Sequence, residues 1–495
     1  MKILLIWPPW YRLQNSEFVG YPIGITSIAA ILEKNGFNVS VYHADYKGKG
    51  AVVHTSELTN AYEDYKRRLA DENDAIWKEV EAVIVEQKPD IVGISVMTGS
   101  YGSALMTAKI AKKINPNTIV VMGGAHPTVE PKSTLRNSDV DFVVAGEGEE
   151  TFLELVQAIE SRKRFSEIKG IGYKKGRQLI INPRRPLIEN LDTLPLPARH
   201  LIINKENFIP DAFGGIFSSR GCPFNCIYCS SHTIWGRHVR FRSVDNVIEE
   251  MKNVLENYKA KHFFFVDDSF SLRRDRVLEM CDKMIQLQKN RSFTWHCQTR
   301  VDLLNEELAA KMKQARCNCV LIGIETGYEE GLKKIKKSIT LDQVRNASSI
   351  LKKYKIPVNT FFMIGFPWET MEEINASISF MKEIDPDDAS YAIVTPQPGT
   401  ELFDMVKKLK LLPKNVDWSS FQHQSPDMFF TKNFSKQQKR EIIEKAESEF
   451  DAQKHKKLRE QIRKNPLSLV SRAVKGGHYK HPVRLIKLGY RTVKN

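Results

Sequence analysis

The sequence predicts an α/β protein: an N-terminal doubly wound parallel sheet, then a partial (β/α)6 barrel, then a mostly helical C-terminal region. Two observations carry this. Short apolar runs alternate with amphipathic helical stretches in two separate series. A proline-punctuated stretch without that rhythm divides the two series.

In the first series, residues 1–162, the strand candidates are "KILLIW", "NVSVYH", "DIVGISV", "TIVVMGG" and "DFVVAG", with helices near Ile23 to Lys34, Trp77 to Glu86, Gly102 to Lys113 and Glu149 to Glu160. Five strands in β-α-β order imply a parallel sheet whose ligands bind beyond the carboxyl ends of the strands. The loops "PPW", "MTGSYGS", "GGAHPT" and "GEGEET" then form one ligand-facing rim, and their glycines admit a large flat ligand close to the backbone. Residues 163–210 read as a small hairpin, "IKGIGYKKGRQLIINPRRP", and a connection, "LDTLPLPARHL". The second series, residues 211–412, offers "GIFSS", "HFFFVD", "FTWHCQ", "CVLIGIE", "VNTFFMIG" and "ASYAIV" as strands, each followed by a helical pattern. Chemistry in a barrel gathers at the carboxyl ends of its strands. Those ends carry Cys222 to Cys229, Asp267, Asp268, Arg300, Glu325 and the "GFPWET" loop. Residues 413–495 read as helical, with "SKQQKREIIEKAESEFDAQKHKKLREQIRK" as a polar, solvated cover over the barrel mouth.

Composition narrows the setting. A chain of 495 residues with 42% hydrophobic content can bury more than one core. Its net charge of +15 is concentrated in a tail: from Asn465 to Asn495 there is no Asp or Glu, while Arg472, Lys475, Lys480, Arg484, Lys487, Arg491 and Lys494 alternate with aliphatic residues. Basic and aliphatic side chains interleaved in this way suit an anionic membrane surface, although Gly476, Gly477 and Pro482 break any single long helix. The aliphatic residues would have no role on a phosphate backbone, which disfavours nucleic acid. The seven cysteines are odd in number, and "MKILLIWPPW" has no basic region or small-residue cleavage site. The expected location is the cytoplasm, with peripheral contact at the inner face of the membrane. No apolar run approaches the roughly 20 residues that span a bilayer.

The stretch "RGCPFNCIYCS" places Cys222, Cys226 and Cys229 on the loop after the first barrel strand. Clustered cysteines in a reducing compartment hold metal or do redox work. A structural zinc needs four ligands, and His232 is the nearest fourth. A [4Fe-4S] cube held by three cysteines instead leaves one iron open for a substrate or cofactor. "RCNCV" sends Cys317 and Cys319 to one face of a strand by simple alternation. With no further partner pair, they and Cys281 and Cys297 read as small buried hydrophobes.

The CxxxCxxC spacing, with Tyr228 before the third cysteine, resembles the signature loop of radical S-adenosylmethionine (SAM) enzymes. The likeness extends along the chain. "MKILLIWPP", "GITSIAAILEKNGFNVSV", "VVMGGAHPT" and "AGEGEETF", and then "FVDDSF", "QTRVDLL", "LIGIETG", "FMIGFPWET" and "TPQPGTELF", resemble the cobalamin-binding-domain radical SAM enzymes. That group contains the anaerobic magnesium-protoporphyrin ester cyclase and hopanoid-modifying enzymes. The resemblance implies that Cys222, Cys226 and Cys229 ligate the cluster, that SAM chelates its open iron, and that a 5′-deoxyadenosyl radical results. It places Asp267 and Asp268 by the SAM amino group and Arg300 and Glu325 among its polar contacts. Met363, Ile364 and Gly365, continuing to Phe366, would lie along the adenine. Cobalamin would lie on the rim of Pro8, Pro9, Met97, Thr98, Gly123 and Gly124, with His126 near that face. The DxHxxG string that supplies a lower axial histidine is missing, and "VYHADYKG" resembles it only loosely, so bound cobalamin would be base-off.

The resemblance implies methylation of an unactivated carbon on a lipid, isoprenoid, tetrapyrrole or natural-product substrate, with an electron donor such as a flavodoxin or ferredoxin. The alternative is a radical cyclase, oxidase or carbon–carbon coupling enzyme. A radical SAM tRNA methylthiotransferase fits less well, because no cysteine precedes Cys222 and the tail reads helical.

Overall fold

A computed structural model describes residues 1–16, 20–46, 61–422, 425, 428 and 430–464. The basic tail from Asn465, and residues 47–60 of the insert that follows the second strand, lie outside the described residues. Strands β1 (Lys2–Trp7), β2 (Asn38–His43), β3 (Ile91–Ser95), β4 (Ile119–Gly123) and β5 (Phe142–Val144) match the five expected strands. They pair in parallel in the order β2-β1-β3-β4-β5. The helices Ile23–Lys34, Ala75–Gln87, Tyr101–Ile114 and Gly148–Ser161 intervene, each within a few residues of its expected position.

The hairpin placed in the connecting segment is part of this sheet. Strands β6 (Ile171–Lys175) and β7 (Gln178–Ile181) add to β5 in antiparallel fashion. Gly170, at φ +81°, makes the corner.

The second unit is the expected open barrel. Strands β8 (Gly215–Ile216), β11 (His262–Phe265), β12 (Thr294–Thr299), β13 (Cys317–Glu325), β14 (Val358–Ile364) and β15 (Asp388–Ile393) pair in parallel in that order. Between the first two, β9 (Ser219–Arg220) and β10 (Arg240–Phe241) form a short antiparallel ribbon. Its helices start where the sequence supplies caps. Ser243, Asn305, Thr340, Thr370 and Thr400 each accept a backbone N–H with the side chain.

One face of the first sheet and the barrel share a single apolar core, running from Leu5 and Ile25 through Phe213 and Ile216 to Phe265. Arg199 of "LPLPARHL" rivets the junction. It is buried, pairs with Glu250 at 2.5 Å, donates to Phe213 O at 3.2 Å and stacks on Tyr21.

The helix Lys436–Lys464 does not cap the barrel mouth. It packs along β15 and the helix Met371–Ile384, burying Ile442, Ile443, Ala446 and Phe450. Lys382 binds Glu449 at 2.7 Å, and Gln453 donates to Asp385 at 2.5 Å. An open sheet needs such a cover, because its last strand presents unpaired backbone groups. Among the described residues no helix is long and apolar enough to cross a membrane.

Candidate active site

Two adjoining cavities lie between the units. The first, of 390 Å³, sits where Leu5 and Trp7 of β1 diverge from Gly93 and Ser95 of β3. This is the topological switch point at which doubly wound sheets bind ligands. Its floor is smooth because glycines line it. Nothing lies within 4 Å of a Cβ built at Gly24 or Gly146, so a larger residue there would project into open space. Gly124, at φ +106°, lies so close to Val96 that a Cβ would approach Val96 O to 2.9 Å. The opposite wall belongs to the barrel and includes Phe217, Phe264, Val266 and Trp235. Met97 is 47% exposed on this surface, an apolar side chain left for something to cover.

The second cavity, of 260 Å³, shares Met97, Ala125 and Ile234 with the first and reaches Tyr228, Cys229, Ser230 and Met363. It therefore joins the rim of the first sheet to the cysteine loop.

That loop runs from β9 to the helix Ser231–Trp235. Gly221 opens it at φ +98°, where a Cβ would stand 2.5 Å from His238 O, so only glycine fits. Two distant elements hold its middle. Ile227 N donates to Ile335 O at 3.1 Å, and Ile227 O accepts from Leu402 N at 2.9 Å. Cys226 is buried, while Cys222 and Cys229 are half-buried. Burial, with Asp268 and the other thiols nearby, pushes the Cys229 thiol up to about 12, and burial likewise raises Cys222. Among the described residues no three His, Cys, Asp or Glu side chains gather tightly enough for a single metal ion. Three thiols on one partly open loop suit the wider corners of an iron–sulfur cube.

The expected SAM-binding residues surround the loop. Asp268 accepts from Ser231 Oγ at 2.6 Å. Asp267 turns toward β8 and β9, where one oxygen accepts from Ser218 N and Ser218 Oγ at 3.1 Å and from Ser219 Oγ at 2.5 Å. Its other oxygen is buried without a partner, and burial raises the acid to about 6. Arg300 lies 3.5 Å above the Phe224 ring of the cysteine loop and is held by Asp302 at 3.0 Å. Glu325, at φ +74°, pairs with Lys337 at 2.8 Å, and Lys337 also donates to Tyr228 OH at 3.2 Å. At the end of β14, Gly365 N and Phe366 N donate to Glu369 Oε2 at 2.7 and 3.0 Å. Burial lifts Glu369 to about 7.

The rim residues divide. Met97, Gly123 and Gly124 line the first cavity, and Thr98 lines the second. Pro8 and Pro9 are buried behind the surface, with Pro9 O accepting from Ser103 Oγ. His126 is fully buried, with its ring against Tyr101 and Trp418, away from the cavity lining. His43 of "VYHADYKG" is likewise buried, among Trp7, Tyr46 and Phe208. Two acids of "GEGEET" face the barrel: Arg220, just before the cysteine loop, pairs with Glu147 at 2.6 Å and Glu149 at 2.5 Å, and Arg240 also reaches Glu147 at 2.8 Å.

One alternation argument fails. A register shift pairs Cys317 with Trp295 but Cys319 with His296, so the two cysteines do not share a face. Cys281, Cys297 and Cys317 are all buried in the core.

Sequence reasoning assigned no role to Lys337, Glu369, Arg220 or Gln422. Arg220 lay in the quoted "RGCPFNCIYCS" and Glu369 in "GFPWET".

The chain matches the family model of the Radical SAM superfamily over residues 216–381 and that of the B12 binding domain over residues 10–156. It is 36% identical over 405 residues, 81% of this chain and 87% of the relative, to "Uncharacterized methyltransferase PH0819" of Pyrococcus horikoshii. The chain belongs to the cobalamin-binding radical SAM family. A second relative in the family, the anaerobic magnesium-protoporphyrin IX monomethyl ester cyclase of Rubrivivax gelatinosus, is 30% identical over 67% of this chain and 61% of its own length. The fold also matches a solved structure, the radical SAM methyltransferase TsrM of Kitasatospora setae with cobalamin and a [4Fe-4S] cluster bound. The TM-score is 0.65 at 17% identity, covering 82% of this chain and 78% of that one. As a cobalamin-binding radical SAM enzyme of the methyltransferase kind, the chain uses a [4Fe-4S] cluster, SAM and cobalamin. The three-thiol loop and the glycine-floored cavity fit those groups.

Proposed function

We propose that this enzyme methylates an unactivated carbon of a largely apolar small molecule held between the rim of the first sheet and the cysteine loop. The joined cavities carry this reading, because they bring a glycine-lined floor and the cysteine loop to one shared space. When bound, the cluster and SAM supply a 5′-deoxyadenosyl radical, and cobalamin supplies the methyl group.

The chain's own residues hold and shield. Cys222, Cys226 and Cys229 would ligate three irons, with Arg300 and Lys337 as the cations beside their loop. Asp267 and Asp268 would receive the SAM amino group. Arg300 and Glu325 would make further polar contacts to SAM. Met363, Ile364 and Gly365 would lie along the adenine, in a turn that Glu369 shapes. Met97, Thr98, Gly123 and Gly124 would floor the corrin, while Phe217, Phe264 and Val266 exclude water from its other side.

The test is anaerobic reconstitution. The protein should hold about four irons per chain at this site, and once reduced it should convert SAM to 5′-deoxyadenosine. A triple Cys→Ala variant that forms deoxyadenosine at the parent rate overturns the cluster assignment. SAM labelled in its methyl group, supplied with metabolites that accumulate in a deletion strain, should label the product. Product without label supports the second reading, a radical cyclase, which the name of the second relative favours.

Two partners extend the proposal. A flavodoxin or ferredoxin would deliver the electron, and either should replace a chemical reductant in the assay. The acid-free basic tail supports peripheral membrane contact. Flotation with anionic liposomes at low salt should retain the full chain and lose one ending at Lys464.

A further inference from the structure

Three non-glycine residues with left-handed backbones surround one ion pair. Glu325 ends β13 at φ +74°, and Lys336 and Ser338, at φ +54° and +55°, flank Lys337. Side chains seldom take this conformation, and such strain persists where the surrounding structure requires it, most often at working sites.

Each departure delivers one partner of the pair. The pairing of β13 with β14 shifts register between Gly323 and Glu325, and the Glu325 carboxylate turns back over Gly323. A Cβ at Gly323 would collide with Glu325 Oε1 and stand 3.1 Å from Lys337 Nζ, so glycine alone leaves room for the two charges. From the other side, the helix Glu329–Lys334 closes with Lys336 left-handed and Lys337 N donating to Leu332 O at 3.0 Å. The residue after such a closing turn commonly makes an apolar contact with its helix. Here it is a lysine, and it is buried.

The helix end calls for no cation, and the contacts of this one lead to the cysteine loop. Lys337 Nζ donates to Glu325 Oε1 at 2.8 Å and to Tyr228 OH at 3.2 Å, and Tyr228 stands between Cys226 and Cys229. Burial opposes a charged Lys337, but the charges of Glu325 and of a Cys226 thiolate outweigh it and raise the amine above its usual value. The ammonium therefore lies within electrostatic reach of a cluster ligand.

A buried carboxylate beside a site that must accept an electron opposes that electron, because charges interact more strongly in the interior than in water. A cation bound to the carboxylate cancels the opposition. The potential of a thiolate-held cluster responds to such nearby charges and hydrogen bonds.

We propose that Lys337 is a positioning residue for electron entry: paired with Glu325 over Gly323, it neutralises the carboxylate beside the cysteine loop and so keeps the cluster reducible. The electron comes from a flavodoxin, a ferredoxin or a chemical reductant, which is oxidised by one electron as the cluster is reduced by one. This deepens the proposed function and rests on it for the place of the cluster.

The test is a potentiometric titration of the full chain, reconstituted anaerobically with its cluster and followed by electron paramagnetic resonance in the absence of SAM. Lys337→Met should lower the midpoint by about 59 mV or more, a tenfold loss of the reduced form at a fixed potential. Glu325→Gln should raise it, and the double variant should lie between the two. Opposite shifts from the two partners follow from charge and not from a merely structural contact. Iron content and melting curves verify that each variant folds and holds its cluster. Should Lys337→Met fail either check, Glu325→Gln, which keeps the shape of the side chain, decides alone. An unchanged or raised midpoint in Lys337→Met, or an unchanged or lowered one in Glu325→Gln, overturns the inference. A parent protein that takes up no cluster sinks the proposed function, whereas a parent that cleaves SAM while its midpoint ignores both charges sinks this inference alone.

Discussion

Gly24 stands in the first turn of the helix Ile23–Lys34, where glycine costs roughly 1 kcal/mol relative to alanine. The cavity it borders explains its presence, since any side chain there would enter the space in which a flat ligand lies. Gly24→Leu should therefore fold and keep its iron yet lose most of the corrinoid that copurifies, as read from the absorbance of the released cofactor. Glu369 offers a test by pH. Its folded value, about 7, lies above the ordinary 4.5 because burial disfavours the charged form. A raised acid contributes stability that is complete below the unfolded value and is lost as pH rises through the folded one. Between about pH 4.5 and 7.5 the parent protein should thus lose a few degrees of melting temperature relative to Glu369→Gln. Cys222, Cys226 and Cys229 were legible because a short spacing on one loop brings them together whatever the rest of the chain does. Lys337 was not, since its contacts with Glu325 and Tyr228 join positions remote in sequence that meet only when the barrel folds.

Among elements, the ribbon of β9 and β10 carries the coupling between the units. Arg220 ends β9 immediately before the cysteine loop, and its guanidinium is held by two acids from the loop after β5. The cysteine loop is thereby referenced to the floor of the other cavity. Removing one member of a buried ion pair leaves an uncompensated charge, at a cost of about 3–5 kcal/mol. Arg220→Met should lower the melting temperature and release iron faster under a chelator, while Arg184→Met, at an exposed site with only backbone partners, should change neither appreciably. The "GEGEET" loop shows how an element can be placed correctly and its side chains misjudged. Strand alternation located the loop at the rim, and Gly146 and Gly148 do line the cavity. Glu147 and Glu149 look toward cations that the first unit does not contain.

At the scale of the molecule, an open six-stranded barrel requires both of its margins to be managed. The margin at β8 is continuous with the first unit through Tyr21, whose hydroxyl donates to Gly215 O at 3.0 Å. The margin at β15 is covered by the helix Lys436–Lys464, whose buried face centres on Ile443, Ala446 and Phe450. Phe450→Asp should cost roughly 3 kcal/mol or more, and light scattering on warming should show association through the uncovered strand. From the sequence alone came the two series of strands and helices, the order of the units and the three-cysteine loop. Each is written in local periodicity or short spacing, which a linear reading can follow. Tertiary structure alone decided that the hairpin extends the first sheet, that the long polar helix guards an edge instead of the mouth, and that Cys317 and Cys319 part company at a register shift. It also set the lining of the second cavity. Its walls come from Trp10, Thr98, Tyr228, Met363 and Gln422, positions scattered over most of the chain, and only packing, which acts between residues remote in sequence, brings them around one space.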